Sequence, residues 1–319
     1  ENEPMSAHSS MRVGGAIRAL ASPGDVSSLA KLCCILKEHE LAPLMLGNCT
    51  NTVFPDEGMP DVFAVSTEKL TKMFLLPDGA IYAEAGVPLS RLAAFAQQNA
   101  LAGLEFASGI PGTVGGALMM NAGAYGGEMK DTVESVVCYY LPEQRLYEIP
   151  AEKCGFEYRG SFFKKVPGNV IISAVFRLVP GDKDEIAAKM RELNERRREK
   201  QPLDLPSAGS AFKRPEGHYA AALIDEAGLK GFAVGGAQVS EKHAGFVVNT
   251  GSATASDVHE LLKEVRRRVY AHSGVLLEPE IILYPPDYKL EDRGPQVPRN
   301  RFVDTGVIAM PHDAQQEDK

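Results

Sequence analysis

Residues 108–127, SGIPGTVGGALMMNAGAYGG, constrain this chain more than any other stretch: seven glycines and Pro111 stand there, interrupted by one short apolar run. Glycine at that density lets the backbone take positive φ and come close to a ligand. Successive exposed N–H groups can then line a concave site for an anion such as a pyrophosphate. The same composition also serves for tight turns, so by itself the segment leaves both readings open. Neither G-x-G-x-x-G after a strand nor G-x-x-x-x-G-K-[ST] occurs. A nucleotide held here is therefore held by neither a dinucleotide fingerprint nor a P-loop. A second loop, Gly47-Asn48-Cys49-Thr50-Asn51, follows the short apolar strand expected at 43–46. Two such loops, each leaving a strand-like segment, suit one extended ligand with a diphosphate at its middle.

The surroundings read as α+β. Val26, Leu29, Ala30, Cys33 and Leu36 recur at helical spacing with Asp25 as N-cap, which predicts a helix over 25–39. Strands are expected at 62–66, 81–85, 133–141 and 170–178, with a helix opened by Pro88 between them. A helix over 183–200 turns Ile186, Met190 and Leu193 inward and stops at Gln201-Pro202. Its basic end, 196–200, fits a solvated helix C-terminus complementing the macrodipole better than a nucleic-acid patch. Thr254-x-x-Asp257 approximates a capping box before a helix that buries Val258, Leu261, Leu262, Val265 and Val269. A last strand is expected at 280–284. The Pro-rich, charged tail from 285 to 319 is expected to stay largely disordered or on the surface.

At 319 residues the chain makes one large domain or, by preference, two or three small ones, since single cores stop growing at roughly 250–300 residues. A net charge of −8 disfavours a nucleic-acid partner, and no apolar run approaches the ~18 residues of a membrane span. Five scattered cysteines without a Cys-x-x-Cys pair argue against a zinc site and a disulfide framework, and for a reducing, cytoplasmic setting. No metal is expected, and a monomer is the expected state.

Three further sites carry chemistry-bearing residues. Arg159 stands in Glu157-Tyr158-Arg159-Gly160-Ser161, Ser210 in Ala208-Gly209-Ser210-Ala211-Phe212-Lys213, and Glu280 in Leu277-Glu278-Pro279-Glu280. Read singly, Arg159 fits a surface ion pair, Ser210 a turn or N-cap, and Glu280 an exposed strand start. Their order, with His8-Ser9-Ser10-Met11-Arg12-Val13-Gly14-Gly15, Leu46-Gly47-Asn48, Gly228-Leu229-Lys230-Gly231 and the run 235–249, GGAQVSEKHAGFVVN, resembles the UDP-N-acetylmuramate dehydrogenases. These are also called UDP-N-acetylenolpyruvoylglucosamine reductases, flavoenzymes of bacterial cell-wall synthesis. The likeness covers about residues 8–284.

That resemblance implies a two-subdomain FAD-binding region of the vanillyl-alcohol-oxidase type, residues 1–60 and 61–180. A smaller α+β substrate-binding domain at 181–284 and the tail at 285–319 would follow. NADPH would reduce FAD, and flavin N5 would give hydride to C3 of the enolpyruvyl group of UDP-N-acetylglucosamine enolpyruvate. Ser210 would deliver the proton to C2, with Arg159 and Glu280 stabilising the enolate-like intermediate, the glutamate as a protonated donor or an orienting group. Glu278 is its rival. Gly47, Asn48, Cys49, Thr50, Asn51 and Thr52 would hold FAD in the first loop. Ser108, Gly109, Ile110, Pro111, Gly112, Thr113, Gly115, Gly116, Asn121, Ala122, Gly123, Ala124, Tyr125 and Gly126 would hold it in the second. Tyr158, Lys213, Lys230, Gln238, Ser240 and His243 would line the substrate side, a structural hydrogen-bonded role for His243 staying open.

The first loop usually reads Gly-Asn-Gly-Ser-Asn in that family, and Cys49 replaces its central glycine. A positive φ there would cost roughly 1 kcal/mol or more. A thioether from Cys49 to the flavin is the sharper alternative to a small buried thiol. The distance from Gly160 to the helix at 183 is too short for the tyrosine-bearing loop of one branch, so the shorter branch is expected. Two other classes compete. An oxygen-using oxidase on the same scaffold gives Ser210 no role, and a non-catalytic nucleotide-binding module shows no flavin absorbance.

Overall fold

The computed structural model describes residues 1–285, so the expected tail lies, after its first residue, outside the described residues. Among the described residues, the three sheets of four or five strands are laid out in chain order. In the first, the strands run Glu3–Pro4, Ala16–Ala21, Met59–Ser66, Leu44–Leu46, the last three mutually parallel. Parallel neighbours need a crossover. Helix Val26–Glu38 makes the crossover from Ala16–Ala21 to Leu44–Leu46, the two strands that flank Met59–Ser66, with Leu29, Cys33 and Leu36 buried and Asp25 accepting from Ser28 N at 2.7 Å. The second sheet is antiparallel, in the order Arg145–Pro150, Val133–Tyr140, Asn169–Phe176, Ile81–Glu84, Met73–Leu75. Helices Leu89–Gln98 and Val114–Met120 bury Leu89, Leu92, Val114 and Leu118 in one core with Ile81, Val136 and Phe176 of this sheet. Pro88 sits at the N-cap, one place before the first helical residue.

The third sheet, Ser207–Ser210, Phe246–Asn249, Ala237–Val239, Ala233–Val234, carries helices Ala220–Glu226 and Ala255–Ser273. The longer helix opens with the Thr254/Asp257 capping box and buries Val258, Leu261, Leu262, Val265 and Val269. Each such side chain contributes roughly 1.5–3 kcal/mol of burial. Met11, Val13 and Val53, from the first part of the chain, belong to this same core. Asp56 adds a second tie, accepting from Ala255 N at 2.7 Å and Ser256 N at 2.9 Å at the helix start.

Helix Lys183–Lys200 has the expected bounds, with Ile186 and Leu193 buried. Met190 packs on the core of the second sheet, and Asn194 Nδ2 donates to Ser108 Oγ at 3.2 Å. Two expectations shift. Residues 108–127 are not loop throughout: they hold helix Val114–Met120 and the first strand of a hairpin, Gly123–Ala124 against Gly127–Glu128. The last strand shortens to Ile282–Leu283 because the chain changes partner there. Glu280 N donates to Ala211 O at 2.9 Å, whereas Ile282 N donates to Asn51 O at 2.9 Å.

Candidate active site

The two glycine segments face one another. A Cβ on Gly47 would lie 3.0 Å from Thr113 Oγ1, and one on Gly112 would lie 3.7 Å from Thr50 Oγ1. Thr113 is the N-cap of helix Val114–Met120, yet its hydroxyl caps nothing and is buried with no hydrogen-bond partner among the described residues. A buried hydroxyl left so loses about 1–3 kcal/mol. A side chain at Gly47 would fill the space this hydroxyl faces. The segments 47–52 and 108–116 therefore fit a phosphate-bearing cofactor, whose oxygens would satisfy Thr113. A cavity of about 210 Å³ beside the first segment is lined by His8, Leu46, Gly47, Asn48, Cys49 and Glu68, among others.

Cys49 takes φ +45°, the left-handed conformation its position demands. Its thiol is buried with Met5, Ile17, Leu46 and Phe54, and burial pushes its pKa up to about 11. A neutral thiol inside an apolar cluster is not a nucleophile, which speaks for the small-buried-thiol reading over the thioether.

Asn51 joins this loop to the candidate acid. Its Nδ2 donates to Glu280 O at 3.1 Å, and the parallel pair Thr52–Val53 with Ile282–Leu283 continues the contact. On its other side Glu280 pairs with the serine segment: besides its N–H to Ala211 O, Lys213 N donates to Glu278 O at 2.8 Å, with a bridge between Phe212 and Pro279. Ser210 and Glu280 thus lie on adjoining backbones. Gly209, at φ +77°, makes the bend in the serine strand and brings that backbone near Thr50 O.

Arg159 arrives from the second sheet's side. Residues 157–160 form a tight turn, Glu157 N to Gly160 O at 3.0 Å and Gly160 N to Glu157 O at 3.1 Å. Arg159 Nε donates to Glu280 Oε1, and its guanidinium lies over the Tyr158 ring, 4.9 Å from the centroid. Arg159 and Glu280 side chains are 19% and 13% exposed, against 70% for Glu278, whose carboxylate meets Lys213 Nζ at 3.0 Å. Burial separates the two glutamates in favour of Glu280. Burial also raises the Glu280 pKa above the ordinary carboxylate value, against the opposing pull of Arg159, Lys164 and Lys213.

Tyr158 and Lys213 join this cluster and line a cavity of about 520 Å³ with Arg214, His218, Val275, Leu276 and Glu278, among others. Tyr158 OH accepts from Arg214 N at 3.0 Å. Lys230, Gln238, Ser240 and His243 form a separate group on the third sheet. Lys230 pairs with Asp225 at 2.6 Å, Gln238 Nε2 donates to Gly231 O at 3.1 Å, and Ser240 Oγ accepts from the Lys242 and His243 amides. His243 Nδ1 accepts from Gly245 N at 3.1 Å, and burial lowers its pKa, so the ring is neutral with Nε2 as donor.

The sequence reading missed Lys164, Arg197 and Arg214. Lys164 Nζ donates to Arg159 O at 3.1 Å, and burial and the charge of Lys213 lower its pKa. Its only sequence signal was its place five residues after Arg159. Arg197 is half-buried against Gly109 and has no acidic partner among the described residues. It stands among the helix-end arginines that suggested a solvated face, and only packing distinguishes it.

The family model for the UDP-N-acetylenolpyruvoylglucosamine reductase C-terminal domain matches residues 201–284, and the FAD binding domain model matches 17–141. The UDP-N-acetylenolpyruvoylglucosamine reductase of Caldanaerobacter subterraneus subsp. tengcongensis is 46% identical, over 88% of this chain and 91% of its own length. That of Agathobacter rectalis is 44% identical over 88% and 92%. The crystal structure of the Thermus caldophilus UDP-N-acetylenolpyruvylglucosamine reductase superposes with a TM-score of 0.76 at 33% identity. It covers 89% of this chain and 98% of its own.

Proposed function

The chain belongs to the UDP-N-acetylenolpyruvoylglucosamine reductase family, and from that premise we propose that it reduces the enolpyruvyl ether of UDP-N-acetylglucosamine to UDP-N-acetylmuramate in peptidoglycan precursor synthesis, with NADPH as reductant. The observation that carries the reading is the part-buried Arg159–Glu280 pair set against the Ser210 strand and tied to the first glycine loop by Asn51. FAD, when bound, supplies the hydride chemistry. Residues 47–52 and 108–116 would hold its diphosphate, and Arg197 is placed to meet an anionic part of it.

The chain's own groups do the rest. Arg159, Lys164 and Lys213 concentrate positive charge around the one part-buried carboxylate of Glu280, a field that favours a substrate carboxylate and the negative charge that develops beside it. Glu280 accepts from Arg159 Nε and so fixes the guanidinium plane, an orienting role. Ser210 Oγ gives its proton to the electron-rich carbon C2. A hydroxyl is a weak acid, but such a carbon is basic enough to take the proton from a positioned donor, for a gain of roughly 10²–10⁴-fold. Between Gly160 and Lys183 the chain is filled by helix Phe162–Lys165 and strands Asn169–Phe176 and Val179–Pro180, which supports the shorter branch with a more open cleft. Among the described residues no helix is long and apolar enough to cross a membrane. The substrate class suits a cytoplasmic enzyme, for which we propose a monomer.

Stopped-flow spectroscopy of Ser210→Ala separates the half-reactions. Bleaching of the flavin by NADPH should stay within about twofold, while reoxidation by the enolpyruvyl sugar falls by roughly 10²–10⁴-fold. Normal reoxidation removes Ser210 from the mechanism, and a protein that takes up no FAD removes the whole reading.

A further inference from the structure

Arg159 sits at φ +55°. In a four-residue turn, positive φ at the third residue is ordinarily left to glycine or asparagine. For a long side chain it costs about 1–3 kcal/mol and persists only where the surroundings over-determine it. The surroundings here can be named. Asn121 Nδ2 donates to Glu157 O at 3.1 Å, holding the turn from before, and Ser161 Oγ donates to Met119 O at 2.8 Å, holding it from behind. Both residues are 0% exposed. The contacts converge on one place, the C-terminal end of helix Val114–Met120, where Asn121 is itself the left-handed cap at φ +42°.

We infer that Asn121 and Ser161 are positioning residues that clamp the Arg159 turn to the end of the glycine helix. Asn121 is thereby removed from the side-chain contacts to FAD that the resemblance implied. Its amide nitrogen also donates to Glu128 Oε2 at 2.8 Å and its oxygen accepts from Lys130 N at 3.0 Å, so both amide N–H groups are spent within the protein and none is left to donate to a cofactor phosphate. The seven-residue helix, about 10 Å long, then has Thr113 in the cofactor gap at one end and the arginine turn at the other. Cofactor and arginine are registered on one rigid element. The clamp rests on the reading of Arg159 given above.

Ser161→Ala removes one clamp bond with almost no change of volume. We expect unchanged FAD affinity and unchanged bleaching by NADPH, with reoxidation by the enolpyruvyl sugar slowed about 10-fold. A displacement of about 1 Å can cost about 10²-fold. Asn121→Asp, which exchanges the donor for a carboxylate facing Glu128 and Glu157 O, should give the larger loss, about 10²-fold, in the same half-reaction. Arg159→Lys is measured alongside. If it reoxidises slowly while both clamp variants keep the wild-type rate, the clamp alone is overturned. If it keeps the wild-type rate itself, the reading of Arg159 falls and takes the clamp with it. If the clamp variants lose FAD or slow both half-reactions alike, their role is structural and the inference is wrong.

Discussion

Ser210 and Glu280 are held differently from Arg159, the third residue of the proposed site. The serine and the glutamate lie on paired backbones: 211 with 280 and 213 with 278, then 51 and 53 with 282 and 284. Main-chain bonds of this kind exist for almost any side chain. Arg159 stands on a turn whose backbone is strained and whose grip comes from the side chains of Asn121, Ser161 and Lys164. On the proposed function, a substitution at Ser210 or Glu280 should therefore remove chemistry and leave the frame standing. The arginine can be lost through residues that touch no ligand.

The largest effect that tests this contrast is on the ladder side. Glu280→Gln keeps an oxygen for Arg159 Nε and the backbone pairing but deletes the charge, so it should slow reoxidation by about 10²-fold with FAD content unchanged. Glu278→Gln, on the same strand but at an exposed position, should stay within about threefold. Burial raises the Glu280 pKa. If the ionised carboxylate orients Arg159, the reoxidation rate falls as pH drops through that raised value, above the ordinary 4.5. The limb should vanish in the glutamine variant. A limb that persists, or a greater loss at Glu278, would show that the wrong carboxylate has been assigned.

The same division explains what could be read from the sequence. Helices 25–39 and 183–200 and the Thr254/Asp257 box were legible because cap and periodicity are local: Asp25 accepts from Ser28 three residues on, and Leu29, Cys33 and Leu36 share a face. The glycine run was legible as a segment. Its helix was not, because Gly115 and Gly116 weaken the local signal and tertiary packing of Val114, Ala117 and Leu118 decides it. Arg159, Ser210 and Glu280 came from ordered resemblance. Singly, their alternatives were ion pair, turn and strand start, and Arg159 is in fact an ion pair, with Glu280 as its partner 121 residues away. The role of Asn121 was out of reach, since its contacts run to Glu157, 36 residues on, and to a hairpin whose closure no local pattern specifies.

A middle-sized effect belongs to the frame itself. Asp56 caps helix Ala255–Ser273 from the far side of the chain, through two backbone N–H groups. Asp56→Ala should lower unfolding stability by about 1 kcal/mol, the usual loss for a helix cap, read as a lower Tm. If Ser210 and Glu280 owe their places to strand pairing, both half-reactions should keep their wild-type rates at temperatures where the variant is folded. A specific loss of reoxidation in Asp56→Ala would mean that the ladder is less self-sufficient than its hydrogen bonds suggest.

The smallest expected effect is at Cys49, another left-handed position near the site. Like Arg159 it is left-handed, but it is held mainly by its own packing: its thiol is buried with Leu46 and Phe54 and donates to Gly47 O at 3.7 Å, while its carbonyl accepts from Ser10 N at 3.3 Å and Ser10 Oγ at 3.4 Å. Cys49→Gly relieves about 1 kcal/mol of backbone strain. It gives up a buried thiol, a loss of about the same size, and adds the entropy loss of fixing a glycine. Stability should therefore move by less than about 1 kcal/mol, and FAD affinity by less than about threefold, because the backbone already has the conformation the loop requires. Denaturing the wild-type protein should release all its yellow colour, as expected of a buried thiol whose pKa burial raises. A marked gain in FAD affinity on Cys49→Gly would show instead that the cysteine distorts the cradle. In that case strain at the first loop and strain at Arg159 would be the same kind of thing after all.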